Sequence, residues 1–111
     1  ELSVKGVEFS VENMLTLTTN ISQKGVEFSI TGIGEYADKV CVSDITVDGR
    51  IQNDPSMPIT SFSGDWGSIE QNGNTIDFTI TPNQDDKSRL FEFTIGGGYW
   101  VRYLKVTQAK E

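Results

Sequence analysis

Apolar and polar residues alternate along most of this 111-residue chain. One stretch reads Thr-Ile-Asp-Phe-Thr-Ile from residue 75, and another reads Phe-Glu-Phe-Thr-Ile from residue 91. Successive side chains of a β-strand point to opposite faces, so a period of two predicts strands with one face in a core and the other in water. Helical spacing is hardly visible. We therefore predict strands at residues 2–11, 14–19, 25–33, 39–47, 59–62, 75–81, 89–95 and 99–108.

The number of predicted strands indicates the architecture. About seven to eight short strands in about 110 residues is the count expected of an immunoglobulin-like antiparallel β-sandwich. We predict this all-β fold as a single domain that covers residues 1–111. The dipeptides Asp48-Gly49 and Asn72-Gly73 tolerate a positive φ and are typical of tight turns between strands.

One short sequence occurs twice. Lys-Gly-Val-Glu-Phe-Ser at residues 5–10 returns at residues 24–29. In a strand, each copy places Val and Phe on one face and Glu and Ser on the other. Two copies are too few for a solenoid, which needs several repeats to bury a stacked core. We therefore interpret the copies as two equivalent strands of the sandwich.

The charge of the chain argues against several partners. Nine basic and sixteen acidic residues give a net charge of −7, which repels phosphate backbones and anionic membranes. We expect no nucleic-acid partner. No apolar run approaches the roughly 18 residues that cross a bilayer, so we also expect no membrane insertion by this domain. Acidic side chains fall on the solvent face of the alternating strands, as do Glu8, Glu12, Glu27 and Glu92.

Residue types needed for common enzyme sites are missing from the sequence. The chain has no histidine, which excludes imidazole-dependent triads and the common zinc hydrolase sites. Its single cysteine, Cys41, excludes an internal disulfide, and we interpret it as a packing residue. Paired carboxylates cleave glycosides only across a cleft, which one small sandwich is not expected to form. We predict no catalytic residue, no metal and no cofactor.

A polar loop precedes the strand predicted at residues 89–95. Its sequence at 83–87, Asn-Gln-Asp-Asp-Lys, collects oxygen ligands, but the spacing fits no calcium-binding loop. We expect an ordinary acidic turn in which Asn83 bonds to nearby backbone. Arg89 is then expected to pair with Asp85 or Asp86 near the surface.

The C-terminal half has a more specific pattern. It contains Trp66, the alternating strand at 75–80, Asn83, Arg89 at the start of a second alternating strand, and Val-Thr-Gln at 106–108. This pattern resembles the BACON domain, a family of Bacteroidetes immunoglobulin-like modules. The resemblance implies that Trp66 packs in the core. It also implies a secreted, periplasmic or cell-surface location beside enzymes or adhesins that handle glycans, with any lipid anchor on a segment outside this sequence.

Aromatic residues of the last predicted strand are the candidates for a binding site. Sugar binding uses flat aromatic faces with amides and carboxylates nearby. If Leu104 and Val106 point into the core, period two places Trp100 on that same side. The opposite side then receives Tyr99, Val101, Tyr103 and Lys105. We therefore predict an exposed stripe of Tyr99 and Tyr103, and we include Trp100 among the ligand-binding candidates.

Each of these aromatics also has a purely structural interpretation. Tyr99 and Tyr103 suit cross-strand pairing on an outer face, with no ligand involved. Trp100 suits a position at one end of the core, packed against Phe91 or Phe93. The sequence leaves both interpretations open.

Two functions are compatible with these patterns. The first is a non-catalytic surface module, a spacer or accessory domain, that binds glycan through its last strand. The alternative is a domain for protein interaction or adhesin assembly that pairs through an exposed strand edge. The expected partner is accordingly a glycan or a surface protein, and the domain by itself is expected to be a monomer.

Overall fold

The computed structural model describes residues 2–35, 37–54, 56–57, 59–96 and 100–111. These residues form eleven strands and one turn of 3₁₀ helix at Ala37–Lys39. The strands are β1 (Leu2–Lys5), β2 (Ser10–Val11), β3 (Thr16–Ile21), β4 (Val26–Gly32), β5 (Cys41–Val47), β6 (Arg50–Ile51), β7 (Ser61–Gly64), β8 (Gly67–Asn72), β9 (Thr75–Ile80), β10 (Arg89–Gly96) and β11 (Val101–Gln108). Within the described ranges, no helix has the length and apolar character needed to cross a membrane.

The strands form two sheets that pack face to face. One sheet has five strands in the order β1-β4-β9-β8-β7, and its pairs are antiparallel. The other has six strands in the order β2-β3-β11-β10-β5-β6. In this second sheet β3 runs parallel to β11, and the remaining pairs are antiparallel. The predicted all-β sandwich is confirmed.

Aromatic rings fill the centre between the sheets. Phe78 of β9 stacks on Phe28 of β4 with ring centroids 4.6 Å apart, and it lies 4.9 Å from Phe93 of β10. Trp66 is only 4% exposed, and its ring lies 5.4 Å from that of Phe91. These contacts join the sheets, because β4 and β9 belong to one and β10 to the other. The core position expected for Trp66 is confirmed.

The first copy of the repeated sequence is not a strand, so the prediction of two equivalent strands is wrong. β1 ends at Lys5, and the chain crosses to the other sheet through Gly6, whose φ is +99°. A Cβ at Gly6 would lie 2.5 Å from the backbone oxygen of Glu27, so this close crossing requires glycine. The predicted strand 2–11 is therefore two short strands in two different sheets.

Burial with a period of two persists through this crossover even though the strand does not. Val7 and Phe9 pack against the core, as their counterparts Val26 and Phe28 do in β4. Phe9 meets Phe28 edge to face at a centroid distance of 5.8 Å. The sequence pattern therefore reports which side chains face inward more reliably than it reports strand pairing.

The alternation pattern does not predict β6 and β8. β8 carries one large apolar side chain, Ile69, and is defined by backbone pairing with β7 on one side and β9 on the other.

β6 follows the turn at Asp48 and Gly49, whose φ values are 51° and 81°. Gly73, with φ of 63°, lies between β8 and β9. Both predicted tight turns are confirmed.

Asn83 organises the polar loop before β10. Its Oδ1 accepts a hydrogen bond from the Asp85 N–H at 3.1 Å, as predicted, and its Nδ2 donates to two backbone carbonyls. The predicted pairing of Arg89 with Asp85 or Asp86 is wrong. Sheet register places Arg89 opposite Gln108, and its guanidinium donates to the Gln108 side chain instead.

Candidate binding face on the six-stranded sheet

Strand β11 lies inside the six-stranded sheet and points alternate side chains to its two faces. Leu104, Val106 and Gln108 are buried in the interior. Tyr103 is 41% exposed on the outer face, and Lys105 follows it there. The side-chain directions predicted for this part of the strand are confirmed.

Neighbouring strands surround Tyr103 with polar side chains. Thr94 of β10 and Thr16 of β3 lie opposite Tyr103 in the sheet register, and Asp44 of β5 lies opposite Thr94. Directly paired residues point to the same face of a sheet, so these side chains form one row. The next row along the strands contains Thr46, Glu92 and Lys105.

The two rows border a shallow depression of about 360 Å³. Its lining residues with polar side chains, which we call the Tyr103 face, are Thr16, Asp44, Thr46, Glu92, Thr94, Tyr103 and Lys105. They offer one aromatic ring, several hydroxyls, two carboxylates and an ammonium group. This combination suits a ligand that stacks on a ring and presents hydroxyls.

Nearby contacts set the charge of the Tyr103 face. Lys105 Nζ lies 3.4 Å from Glu12 Oε2, outside the depression. The Thr46 hydroxyl donates to Glu92 Oε1 at 3.4 Å. Because the ammonium already has a carboxylate partner, Asp44 and Glu92 make the face negative. In the described part of the chain, no group of three or more His, Cys, Asp or Glu side chains is arranged to hold a metal ion.

Trp100 does not share the outer face with Tyr103. It is partly buried and packs against the core, and the Arg102 guanidinium carbon lies 5.5 Å from its ring centroid. The sequence suggested Phe91 or Phe93 as the packing partner of Trp100. The rings of Phe91 and Phe93 instead lie beside Trp66, at centroid distances of 5.4 and 6.0 Å. The third predicted binding residue, Tyr99, lies outside the described residues.

Asp44, Thr46 and Glu92 belong to the Tyr103 face but are absent from the residues predicted for the site. Glu92 occupies an outward position in an alternating segment, and that signal is present in the sequence. Asp44 and Thr46 face outward because the register of β5 shifts after the buried Val42, which the alternation does not show. Their proximity to Tyr103 depends on β5 and β10 following β11 in the sheet. Period-two alternation contains no information about strand order.

The outer face of the five-stranded sheet has a slightly larger depression, of about 390 Å³. Its lining includes Phe28 and Phe78, which are 4% and 1% exposed. Its other side chains are those of Lys5, Glu27, Ser29, Asp77 and Thr79. Both rings there are buried, so this depression is less suited to stacking than the Tyr103 face.

The chain is similar to known proteins in fold and not in sequence. No protein-family model matches it, and no curated protein sequence matches it. A protein from Bacteroides thetaiotaomicron, solved by NMR, superposes with a TM-score of 0.73 at 17% identity, over 97% of this chain and 87% of that one. Titin domain M7 superposes with a TM-score of 0.50 at 13% identity, over 96% of this chain and 97% of that one. The chain therefore has an immunoglobulin-like β-sandwich fold.

Proposed function

We propose that this domain is a non-catalytic accessory or spacer module, and that it binds a neutral glycan on the Tyr103 face. The observation that carries the proposal is the position of Tyr103. Its ring is partly exposed within a sheet and is framed by hydroxyls and carboxylates at a shallow depression.

The Tyr103 face meets the two requirements of sugar recognition. The apolar face of a pyranose packs on an aromatic ring, and the carboxylates of Asp44 and Glu92 accept hydrogen bonds from sugar hydroxyls. Tyr103 and Lys105 are two residues apart, about 7 Å along the strand. A single sugar ring therefore reaches both rows of the face.

The cellular setting is proposed from the BACON-like pattern. Trp66, Asn83 and Gln108 are buried in this fold, and Arg89 donates to Gln108. The fold similarity to a Bacteroides thetaiotaomicron protein extends over nearly the whole chain. These observations support a BACON-like module in a secreted, periplasmic or cell-surface protein, with a lipid anchor elsewhere in the polypeptide as one means of attachment.

A glycan array followed by calorimetry tests the proposal. Neutral polysaccharides are expected to give binding, and Tyr103→Ala is expected to abolish it. Thr79→Ala, on the outer face of the five-stranded sheet, is the control and should bind like the unchanged domain. Equal binding by Tyr103→Ala would show that the site is elsewhere, and an array without any hit would reject glycan binding.

A second function, protein interaction or adhesin assembly, is supported by an unguarded strand edge. β7 is an edge strand whose sequence, Ser-Phe-Ser-Gly, contains neither a charge nor a proline. Natural sheets usually protect their edges with such residues, and an unprotected edge accepts a partner strand. Crosslinking in the native cell envelope should recover a partner protein. The Ser63→Lys variant should lose this partner, whereas the control Thr79→Ala should retain it. A strict monomer with no crosslinked partner argues against this function.

A further inference from the structure

The interior layer of the sandwich is open at one corner, between the edge strands β1 and β2. Val11 of β2 pairs with Leu17, and Leu17 pairs with the buried Leu104, so all three point toward the interior. Val11 is nevertheless 73% exposed. A large apolar side chain on the core side of a sheet is normally covered by other side chains, and none of the described residues covers Val11.

The turn between β2 and β3 adds a second apolar side chain to this corner. Met14 is 89% exposed. Asn13 fixes the turn, because its Oδ1 accepts hydrogen bonds from the N–H groups of Leu15 at 2.9 Å and Thr16 at 3.0 Å. Met14 is therefore presented to solvent by a hydrogen-bonded turn.

A guanidinium group lines the same opening. The groove there has a volume of about 330 Å³ and is formed by Leu2, Val11, Asn13, Met14, Leu17 and Arg102. Arg102 stacks on Trp100 and donates through Nη1 to the Val101 carbonyl oxygen at 2.8 Å. Among the residues that the structure describes, no carboxylate lines the groove, and the ion pair that they form is that of Lys105 with Glu12. An apolar groove thus contains a positive charge, in a chain with a net charge of −7.

We propose that this groove binds an extended segment of a partner protein that carries an apolar side chain and, two residues away, a carboxylate. Side chains at i and i+2 of an extended segment lie on one face, about 7 Å apart. The apolar one covers Val11, Met14 and Leu17, and the carboxylate pairs with Arg102. The free edge of β2 can add main-chain hydrogen bonds. This interaction surface is separate from the Tyr103 face and does not depend on glycan binding.

Selection from displayed random ten-residue peptides against the immobilised domain provides the test. Enriched peptides are expected to share an apolar residue with an Asp or Glu two positions before or after it. Synthetic copies should bind Arg102→Gln at least about tenfold more weakly than the unchanged domain, because one charge of the pair is lost. Met14→Ser should weaken binding as well, and its exposed position leaves the fold intact.

Matched variants separate this groove from general effects of charge and hydrophobicity. Arg50→Gln removes an exposed arginine of β6, and Met57→Ser removes another exposed methionine, so both should bind the peptides normally. The proposal is overturned if no peptide is enriched, if the enriched peptides lack the acidic residue, or if Arg102→Gln and Met14→Ser bind as well as the controls. Concentration-dependent self-association that Met14→Ser abolishes would make a second copy the occupant and would also overturn it.

Discussion

Arg89 donates two hydrogen bonds to the side-chain oxygen of Gln108, from Nη2 at 2.7 Å and from Nε at 3.1 Å. These residues are the first of β10 and the last of β11, and they lie directly opposite each other. Gln108 is fully buried, and its Nε2 donates to the backbone oxygens of Thr81 at 2.9 Å and Gln23 at 3.3 Å. The pair therefore closes one end of the sandwich by satisfying carbonyl groups of two loops.

Replacing Gln108 by leucine should destabilise the domain by about 3 kcal/mol. The change removes the side-chain oxygen that accepts from the partly buried Arg89 guanidinium. It also removes the shorter of the two side-chain hydrogen bonds to the Thr81 carbonyl oxygen, the one from Gln108. The free energy of unfolding in urea measures the effect. Gln84→Leu, at an exposed position of the neighbouring loop, should change it by less than about 0.5 kcal/mol. Equal stability of the two variants would contradict a structural role for the pair.

Three of the residues that carry the BACON resemblance, Asn83, Arg89 and Gln108, lie together at this closed end. Arg89 and Gln108 bond directly, and Asn83 donates to the backbone oxygen of Ala109 at 3.2 Å, next to Gln108. The sequence shows these residues only as separate positions, and nearby acidic residues suggested a different partner for Arg89. Its true partner depends on the register of β10 with β11, a long-range property that loop composition does not encode.

Phe28 and Phe9 occupy equivalent positions of the repeated sequence but should differ in their contribution to stability. Phe28 is buried in β4 and stacks on Phe78, whereas Phe9 is half-buried in the crossover. Truncating a buried phenylalanine costs about 3–5 kcal/mol, so Phe28→Ala should fall in that range. Phe9→Ala should cost about half as much, because less apolar surface is lost. Chemical denaturation of both variants provides the comparison, and equal losses would show that Phe9 contributes as much to the core as Phe28 does.

Gly67 cannot be replaced without strain at the start of β8. Its φ is +146°, and a Cβ there would overlap the backbone oxygen of Thr79 on the paired strand β9. Gly67→Ala should therefore destabilise the domain by about 3 kcal/mol or more. Gly96→Ala is the control, since among the described residues a Cβ at Gly96 meets only the Cys41 Sγ, at an ordinary distance of 3.9 Å. Thermal unfolding should separate the two variants, and similar melting temperatures would show that β9 moves aside at little cost.

Sequence reasoning placed Tyr103 and Lys105 on the outer side of the last strand, but it did not find the residues that other strands bring beside them. The outward direction of Tyr103 follows from the buried Leu104 beside it, a local relationship with a period of two. Asp44 reaches the same face because β5 pairs with β10 and β10 with β11. β5 precedes β11 by more than fifty residues in the chain, and only the tertiary arrangement of the strands brings them together.

Binding on the Tyr103 face should discriminate against anionic sugars. Asp44 and Glu92 line the face, and its ammonium group on Lys105 is paired with Glu12. A uronic acid or sulfated sugar would place like charges close together with little compensation. The unchanged domain should bind a neutral glycan more tightly than its uronic-acid counterpart, and Asp44→Asn combined with Glu92→Gln should narrow that difference. Calorimetry at low and high salt measures it, since salt screens the repulsion between exposed charges. Preference for the anionic form by the unchanged domain would show that these carboxylates do not face the ligand.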